Sequence, residues 1–142
     1  SSAKNLGFST ASAEKLYLPV DTAKDAPNVA TQEADANSLL SKTRKFIELR
    51  HTEPALANYA EFVPLFAKEN TYPFIYARAN NNDVVLIMLN PSGNNVEASF
   101  EISTDFSSTK VLAGDTLNIE HNGNTVSVSM PGQSYSIVKL IR

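Results

Sequence analysis

Asn37-Ser-Leu-Leu-Ser-Lys-Thr-Arg-Lys-Phe-Ile-Glu-Leu-Arg-His-Thr-Glu-Pro-Ala-Leu56 is the stretch on which the organisation of this chain turns. At about 100° per residue, Leu39, Leu40, Thr43, Phe46 and Ile47 fall on one stripe of a helix, with Leu49 at its margin. Ser41, Arg44, Lys45 and Glu48 face away. The helix is expected to begin near Asp35, whose carboxylate can accept from the free N–H groups of a first turn. It is expected to stop before Pro54, which lacks an N–H and disfavours helical geometry at Glu53. Arg50 and His51 suit the negative end of its dipole. A lone helix of this length is marginal in water. Burying four large apolar side chains at roughly 1.5–3 kcal/mol each would supply at most about 6–12 kcal/mol, so the stripe requires a packing partner.

After Leu56 the apolar period changes from that of a helix to two. Strands are expected at about Tyr59 to Phe66, Tyr72 to Ala79, Val84 to Asn90, Val96 to Ile102, Lys110 to Ala113, Thr116 to Glu120, Thr125 to Met130 and Tyr135 to Ile141. Between them lie Lys68-Glu-Asn70, Asn80-Asn-Asn-Asp83, Pro91-Ser-Gly-Asn-Asn95, Gly114-Asp115, His121-Asn-Gly-Asn124 and Pro131-Gly-Gln133, all turn chemistry. Asn122-Gly123 is the strongest turn signal and is expected at the centre of a type I′ hairpin. Val96, Ala98, Phe100 and Ile102 alternate with Glu97, Ser99 and Glu101, a half-buried strand. The unbroken run Val84 to Leu89 suits a strand covered on both faces. The fold class that follows is mainly β: an antiparallel β-sandwich preceded by one amphipathic helix and a long N-terminal loop.

Upstream of the helix, Ser1 to Ala34 show no sustained period and are rich in Ser, Thr, Ala and Asp, with Pro27 and Asn28. Thirty structureless residues are unusual in a compact domain. Phe8, Leu16, Tyr17, Leu18 and Val20 are unlike a solvated linker, so the loop is expected to pack on something preceding it in a longer protein.

The whole chain has 142 residues, 42% apolar and 19% charged, with a net charge of −3 and no cysteine. This is the composition of a globular domain. Scattered Lys and Arg give no footprint for nucleic acid. Val84 to Leu89 is far short of the roughly 20 apolar residues of a membrane span. The lack of cysteine excludes disulfides and thiolate chemistry and leaves the compartment open.

These same segments, in this order, resemble the alpha-amylase family, glycoside hydrolase family 13. Leu6-Gly-Phe-Ser-Thr10 and Ala13-Glu-Lys-Leu-Tyr-Leu-Pro-Val20 are similar to its "GFS…LP" loop, and Asn28-Val29 with Gln32 to its approach to the last barrel helix. Residues 37–56 are similar to that helix, with its "NSLL…R-K-x-I-x-L-R…PAL" text. Tyr72-Pro-Phe-Ile-Tyr-Ala-Arg78 with Val84 to Ser92 resembles the first hairpin of the C-terminal domain, and Pro131 to Leu140 its closing strand. Leu16-Tyr-Leu-Pro19 is nearest the alpha-glucosidase and trehalose-synthase-like branches, where many relatives have Trp in place of Tyr17. The resemblance implies a fragment: residues 1–56 the last loop and helix of a catalytic barrel, residues 57–142 a C-terminal all-β sandwich. The partner implied is the parent's barrel, on which the sandwich would act structurally. An α-glucan contact, or an immunoglobulin-like interaction role, is the alternative.

Family members work with two carboxyl groups flanking the glycosidic bond. The family adds a third carboxylate, and its texts, R-x-D around the nucleophile and N-H-D around the third acid, do not occur here: Arg44, Arg50 and Arg78 have Phe46, Thr52 and Asn80 two positions on. No catalytic residue, metal ligand or cofactor site is therefore assigned. The resemblance implies only that Gly7, Phe8 and Ser9 lie in a loop at the rim of the parent's active site. Asp21, Asp25, Glu33 and Asp35 are expected as a solvated loop with one helix cap rather than a calcium site. His51 and His121 have no ligand partners nearby in sequence. Tyr59, Phe62, Phe66, Tyr72, Phe74 and Tyr76 could stack on sugar rings, but their place within strand patterns favours the core.

Overall fold

A computed structural model describes residues 3–81 and 83–142. Ser1 and Ser2, at the head of the expected loop, and Asn82, in the expected connection Asn80 to Asp83, lie outside the described residues. The chain forms two compact units, Ser1–Glu48 and Leu49–Arg142. The boundary falls within α2 (Leu39–Thr52).

The second unit is an antiparallel β-sandwich of eight described strands. These are β1 (Glu61–Phe66), β2 (Phe74–Asn80), β3 (Asp83–Asn90), β4 (Val96–Glu101), β5 (Ser108–Gly114), β6 (Ile119–Asn122), β7 (Thr125–Met130) and β8 (Ser134–Ile141). One sheet has the order β1-β2-β3-β8-β5, the other β4-β7-β6. Alternation does the rest. Ile75, Ala77, Leu86, Met88, Val138 and Leu140 of the larger sheet meet Ala98, Phe100, Val126, Val128 and Met130 of the smaller in a closed core. β3 is covered on both faces, as its unbroken apolar run implies. Its Val85 and Ile87 point the other way, into a second cluster with Ala55. Ala55 sits in the 3₁₀ turn Pro54–Leu56 that follows α2.

Polar pins hold the ends of the sandwich. Asn90 is fully buried. Its Nδ2 donates to Asn94 O at 2.9 Å and Pro131 O at 2.6 Å, while its Oδ1 accepts from Ser92 N–H at 3.2 Å and Ser92 Oγ at 2.7 Å. One amide thus fastens the β3–β4 connection to the β7–β8 connection with no capacity wasted. The two loops touch so closely that a Cβ on Gly132 would stand 2.5 Å from Gly93 O.

Two sequence expectations move. β6 begins at Ile119 rather than Thr116. Asp115 is held on the large sheet, its N–H on Tyr135 O at 2.8 Å and its own carbonyl accepting from Ser136 Oγ at 2.7 Å, so residues 116–118 form the crossing between sheets. The β6–β7 turn is also one residue later than expected: Asn122 pairs with Thr125, leaving Gly123 and Asn124 as the loop. Gly123 has the positive φ, +58°, at the first loop position. That matches the glycine of a II′-type hairpin rather than an Asn-Gly type I′.

In the first unit, the expected structureless leader holds 3₁₀ turns at Lys4–Gly7 and Ala13–Lys15 and a short helix, α1 (Val29–Ala34). Six residues are too few to display a helical period, which is why the pattern missed it. Its cap was legible: Asn28 Oδ1 accepts from Thr31 N–H and Thr31 Oγ1, both at 2.9 Å. α2 starts at Leu39, four residues after the expected Asp35. Asp35 Oδ1 instead takes the Asn37 N–H at 2.8 Å in the preceding turn. The capping is done by Ser38 Oγ, which accepts from Ser41 N–H at 3.2 Å, and by Gln32 Oε1, which accepts from Leu40 N–H at 3.0 Å. The end of α2 is as expected, at Thr52 before Glu53-Pro54. No residue of α2 is buried, with Leu39 77% and Ile47 54% exposed and Leu40 and Leu49 partly buried.

Candidate functional site

The loop Gly7-Phe8-Ser9 is built by backbone geometry rather than packing. Asn5, Leu6 and Gly7 all have positive φ, at +49°, +57° and +87°. Such a run is costly for Asn and Leu and natural only for Gly. Asn5 offsets part of that cost, because its Nδ2 donates to Ser9 O and Ala11 O, each at 2.9 Å, and Ser9 Oγ accepts from Ala11 N–H at 3.1 Å. A Cβ on Gly7 would lie 3.0 Å from Val29 Cβ, so glycine also lets the loop approach α1. Phe8 is left 60% exposed. It borders a hollow of ≈ 330 Å³ with Leu6, Leu16 and Leu18.

Three of the four acidic residues singled out in the sequence are engaged locally, and Asp25 is exposed. Asp21 Oδ1 accepts from Ala23 N–H at 2.9 Å, Glu33 pairs with Arg44 at 2.9 Å, and Asp35 makes the turn already described. Among the described residues, no three His, Cys, Asp or Glu side chains converge where a metal ion could be held. His51 is exposed at the end of α2. His121 stacks at 4.6 Å on Phe106.

The outer face of the five-stranded sheet is the other place of interest, and it was missed by sequence reasoning. Glu53, buried, receives Lys139 Nζ of β8 on both oxygens at 2.9 and 3.1 Å, and Lys139 also reaches Asp83 Oδ1 at 2.7 Å. Hydrogen bonds from Asp83 and then Glu53 raise the Lys139 ammonium above its ordinary pKa, against the opposing effect of burial. Arg78 of β2 donates to Ala57 O at 2.6 Å and Asn80 to Pro54 O at 3.4 Å. The segment Glu53–Ala57 is thereby fixed on this face.

The aromatics correct the expectation of core packing. Only Phe66 packs against the inner core; Phe62, Phe74 and Tyr76 stand on the outer face. The Phe62 and Tyr76 rings lie 4.8 Å apart, and those of Phe74 and Tyr76 5.3 Å. Phe62 is 50% exposed and Tyr59 75%. β1 is apolar at nearly every position, so alternation assigned two faces to it without saying which one was inside.

No protein-family model matches the sequence. The chain is similar to the maltogenic alpha-amylase of Bacillus acidopullulyticus, 31% identical over 91 residues that make up 63% of this chain and 16% of that enzyme. Its structure is similar to isomaltulose synthase from Erwinia rhapontici NX5, with a TM-score of 0.62 and 25% identity over 81% of this chain and 20% of that one. It also shares its fold, at 14% identity, with an alpha-amylase from H. orenii, with a TM-score of 0.58 over 80% of this chain and 22% of that one. The chain thus spans about a fifth of the length of these relatives. Among the described residues no helix is long and apolar enough to cross a membrane. In sequence and in fold alike, the chain resembles the C-terminal region of the alpha-amylase family, glycoside hydrolase family 13.

Proposed function

We propose that this chain is a non-catalytic structural region of an amylase-family glycosidase acting on α-glucosidic oligosaccharides or polysaccharides. In this reading residues 1–56 supply the last loop and helix of the catalytic barrel and residues 57–142 the sandwich that follows it. The observation that carries it is the likeness to about a fifth of much longer enzymes, in a sequence without the family's R-x-D and N-H-D texts. A (β/α)₈ barrel takes about 250 residues, so the acid pair of the reaction belongs to a part of the enzyme outside this sequence. Gly7, Phe8 and Ser9 then border the active site, where the exposed Phe8 ring is available to line its rim. The α-glucosidase and trehalose-synthase-like branch is the one the Leu16 to Pro19 text supports.

The test has two arms. The 142-residue chain is assayed for glucose release from maltose, isomaltose and a nitrophenyl α-glucoside against a heat-killed control, and the coding sequence upstream of Ser1 is read. No release, with a carboxylate-bearing barrel encoded upstream, is expected; release that tracks the pure chain overturns the reading.

A second reading, an α-glucan-binding module, is favoured by one observation, the aromatic row in which the half-exposed Phe62 stands beside the partly buried Tyr76 and Phe74. Aromatic faces can stack on pyranose rings. Titration with maltoheptaose while following the resonances of these rings separates the two.

A further inference from the structure

We propose that the cleft between the two sheets at β1 is a binding site for a small molecule with an apolar body and a cationic head, an alkyl- or arylammonium. Five strands face three in this sandwich, so the smaller sheet does not cover the whole inner face of the larger one. The uncovered part lies at the edge strand. Val63, Leu65 and Ala79 are only partly buried there, beside the buried Ala77, Val84 and Ile102. Together they line a cleft of ≈ 480 Å³. Small-molecule sites run from about 300 to about 1,000 Å³ and combine an apolar lining with a few polar groups, which is the chemistry found here. All of its lining belongs to the second unit, so its ligand is independent of the proposed catalytic barrel.

The rim sets the charge of the ligand. Glu61 pairs with Ala79 and Val63 with Ala77, and directly opposed residues share a face, so Glu61 stands on the inner side of β1 with Val63 and Leu65. The inner faces of a sandwich otherwise carry the core, and a carboxylate there needs a reason. Glu61 is exposed, and among the described residues no ion pair or side-chain hydrogen bond engages its carboxylate. Glu101, the last residue of β4, lies on the same rim, and no described Lys, Arg or His lines the cleft. An ammonium head seated there is attracted by both negative charges, and Ser103, Thr104 and Asn124 add acceptors for its N–H groups. An anionic head meets only repulsion. The apolar body fills the space that the short side chains of Ala77 and Ala79 leave open.

The experiment titrates the 142-residue chain with hexylammonium while following the methyl resonances of Val63, Leu65, Val84 and Ile102, with 1-hexanol and hexanoate as probes of equal chain length. Saturable shifts of these methyls are expected with hexylammonium at millimolar concentration, with hexanol binding severalfold more weakly and hexanoate more weakly still. Glu61→Gln, at an exposed position, is expected to bring hexylammonium down to the level of hexanol without moving the melting temperature. Raising the salt from about 0.05 M to about 0.5 M should weaken hexylammonium in the parent and leave hexanol unchanged. Ala79→Leu, which fills the cleft, is expected to abolish binding of both, and Glu61→Gln alone decides the matter if that variant misfolds. Shifts that do not saturate, hexanoate binding as tightly as hexylammonium, or an unchanged affinity in Glu61→Gln overturns the proposal. An unchanged affinity together with new self-association of Glu61→Gln would show that Glu61 is instead an inward-pointing charge that guards the edge strand.

Discussion

The Nζ of Lys139 lies 2.9 Å from one oxygen of the buried Glu53 carboxylate and 3.1 Å from the other, across 86 residues of sequence. This pair locks the end of the helical segment to the middle of a sheet. Replacing Lys139 by Met keeps the apolar stem and leaves Glu53 buried without its cation, at an expected cost of about 3–5 kcal/mol in unfolding free energy. Asp83→Asn removes a far more exposed partner and is expected to cost under about 1 kcal/mol. Urea unfolding of the three proteins checks both values.

The same lysine sets a pH dependence. Its folded pKa is raised above the ordinary 10.5, with Asp83 and then Glu53 as the cause. A raised pKa means that the folded state holds the proton more tightly, so the contribution is fully present below the unfolded value and is lost as pH rises through the folded one. The stability gap between the parent and Lys139→Met is therefore expected to be flat through neutrality and to narrow only in the alkaline range above that value. A gap that closed between neutral pH and pH 9 would show that Lys139 is not what the gap reports.

Cutting the chain before Ala57 should be worse than cutting before Leu49. The shorter piece keeps all eight strands but loses Glu53, Ala55 and Leu56, which uncovers Val85 and Ile87. At roughly 1.5–3 kcal/mol for each fully re-exposed side chain, the expected loss is about 3 kcal/mol or more. Thermal melts of Leu49–Arg142 and Ala57–Arg142 compare them directly, and equal stability would show that the turn adds nothing to the sandwich.

Asn90→Ala is expected to cost about 1–3 kcal/mol, because Pro131 O and Asn94 O lose a buried donor together. Proteolysis at the two loops, followed by mass spectrometry, should show both opening at once. Opening of the β3–β4 loop alone would mean that Asn90 does not couple them.

Much of this architecture was legible because alternation and turn residues speak locally. All eight strands, the doubly covered β3 and the stop at Pro54 follow from patterns a few residues long. What escaped depends on distant partners. Asp35, Asn37 and Ser38 are all competent caps, and the choice of Ser38 is made with Gln32 one helix earlier. Glu53 reads as an ordinary residue before a proline until Lys139 arrives. The two faces of β1 are both apolar, so only the assembled sheets reveal Phe62 as outward. For the candidate site, the resemblance supplied Gly7, Phe8 and Ser9. The positive φ at Asn5, Leu6 and Gly7 that shapes their loop has no sequence signal beyond the single glycine.

That shared capping tests whether α1 and α2 form one piece. Gln32 gives its Oε1 to Leu40 N–H, and its carbonyl accepts from Ser38 Oγ at 2.5 Å, so α1 both caps α2 and orients the residue that caps it. Gln32→Ala and Ser38→Ala should each cost about 0.5–2 kcal/mol of helix stability, in the range of a lost N-cap. The double variant should cost less than the sum, because the two side chains serve the same first turn and neighbouring sites couple. Amide exchange at Leu40 and Ser41 reads the effect directly. Strictly additive losses would mean that the two side chains act on α2 independently and that α1 does not organise its start.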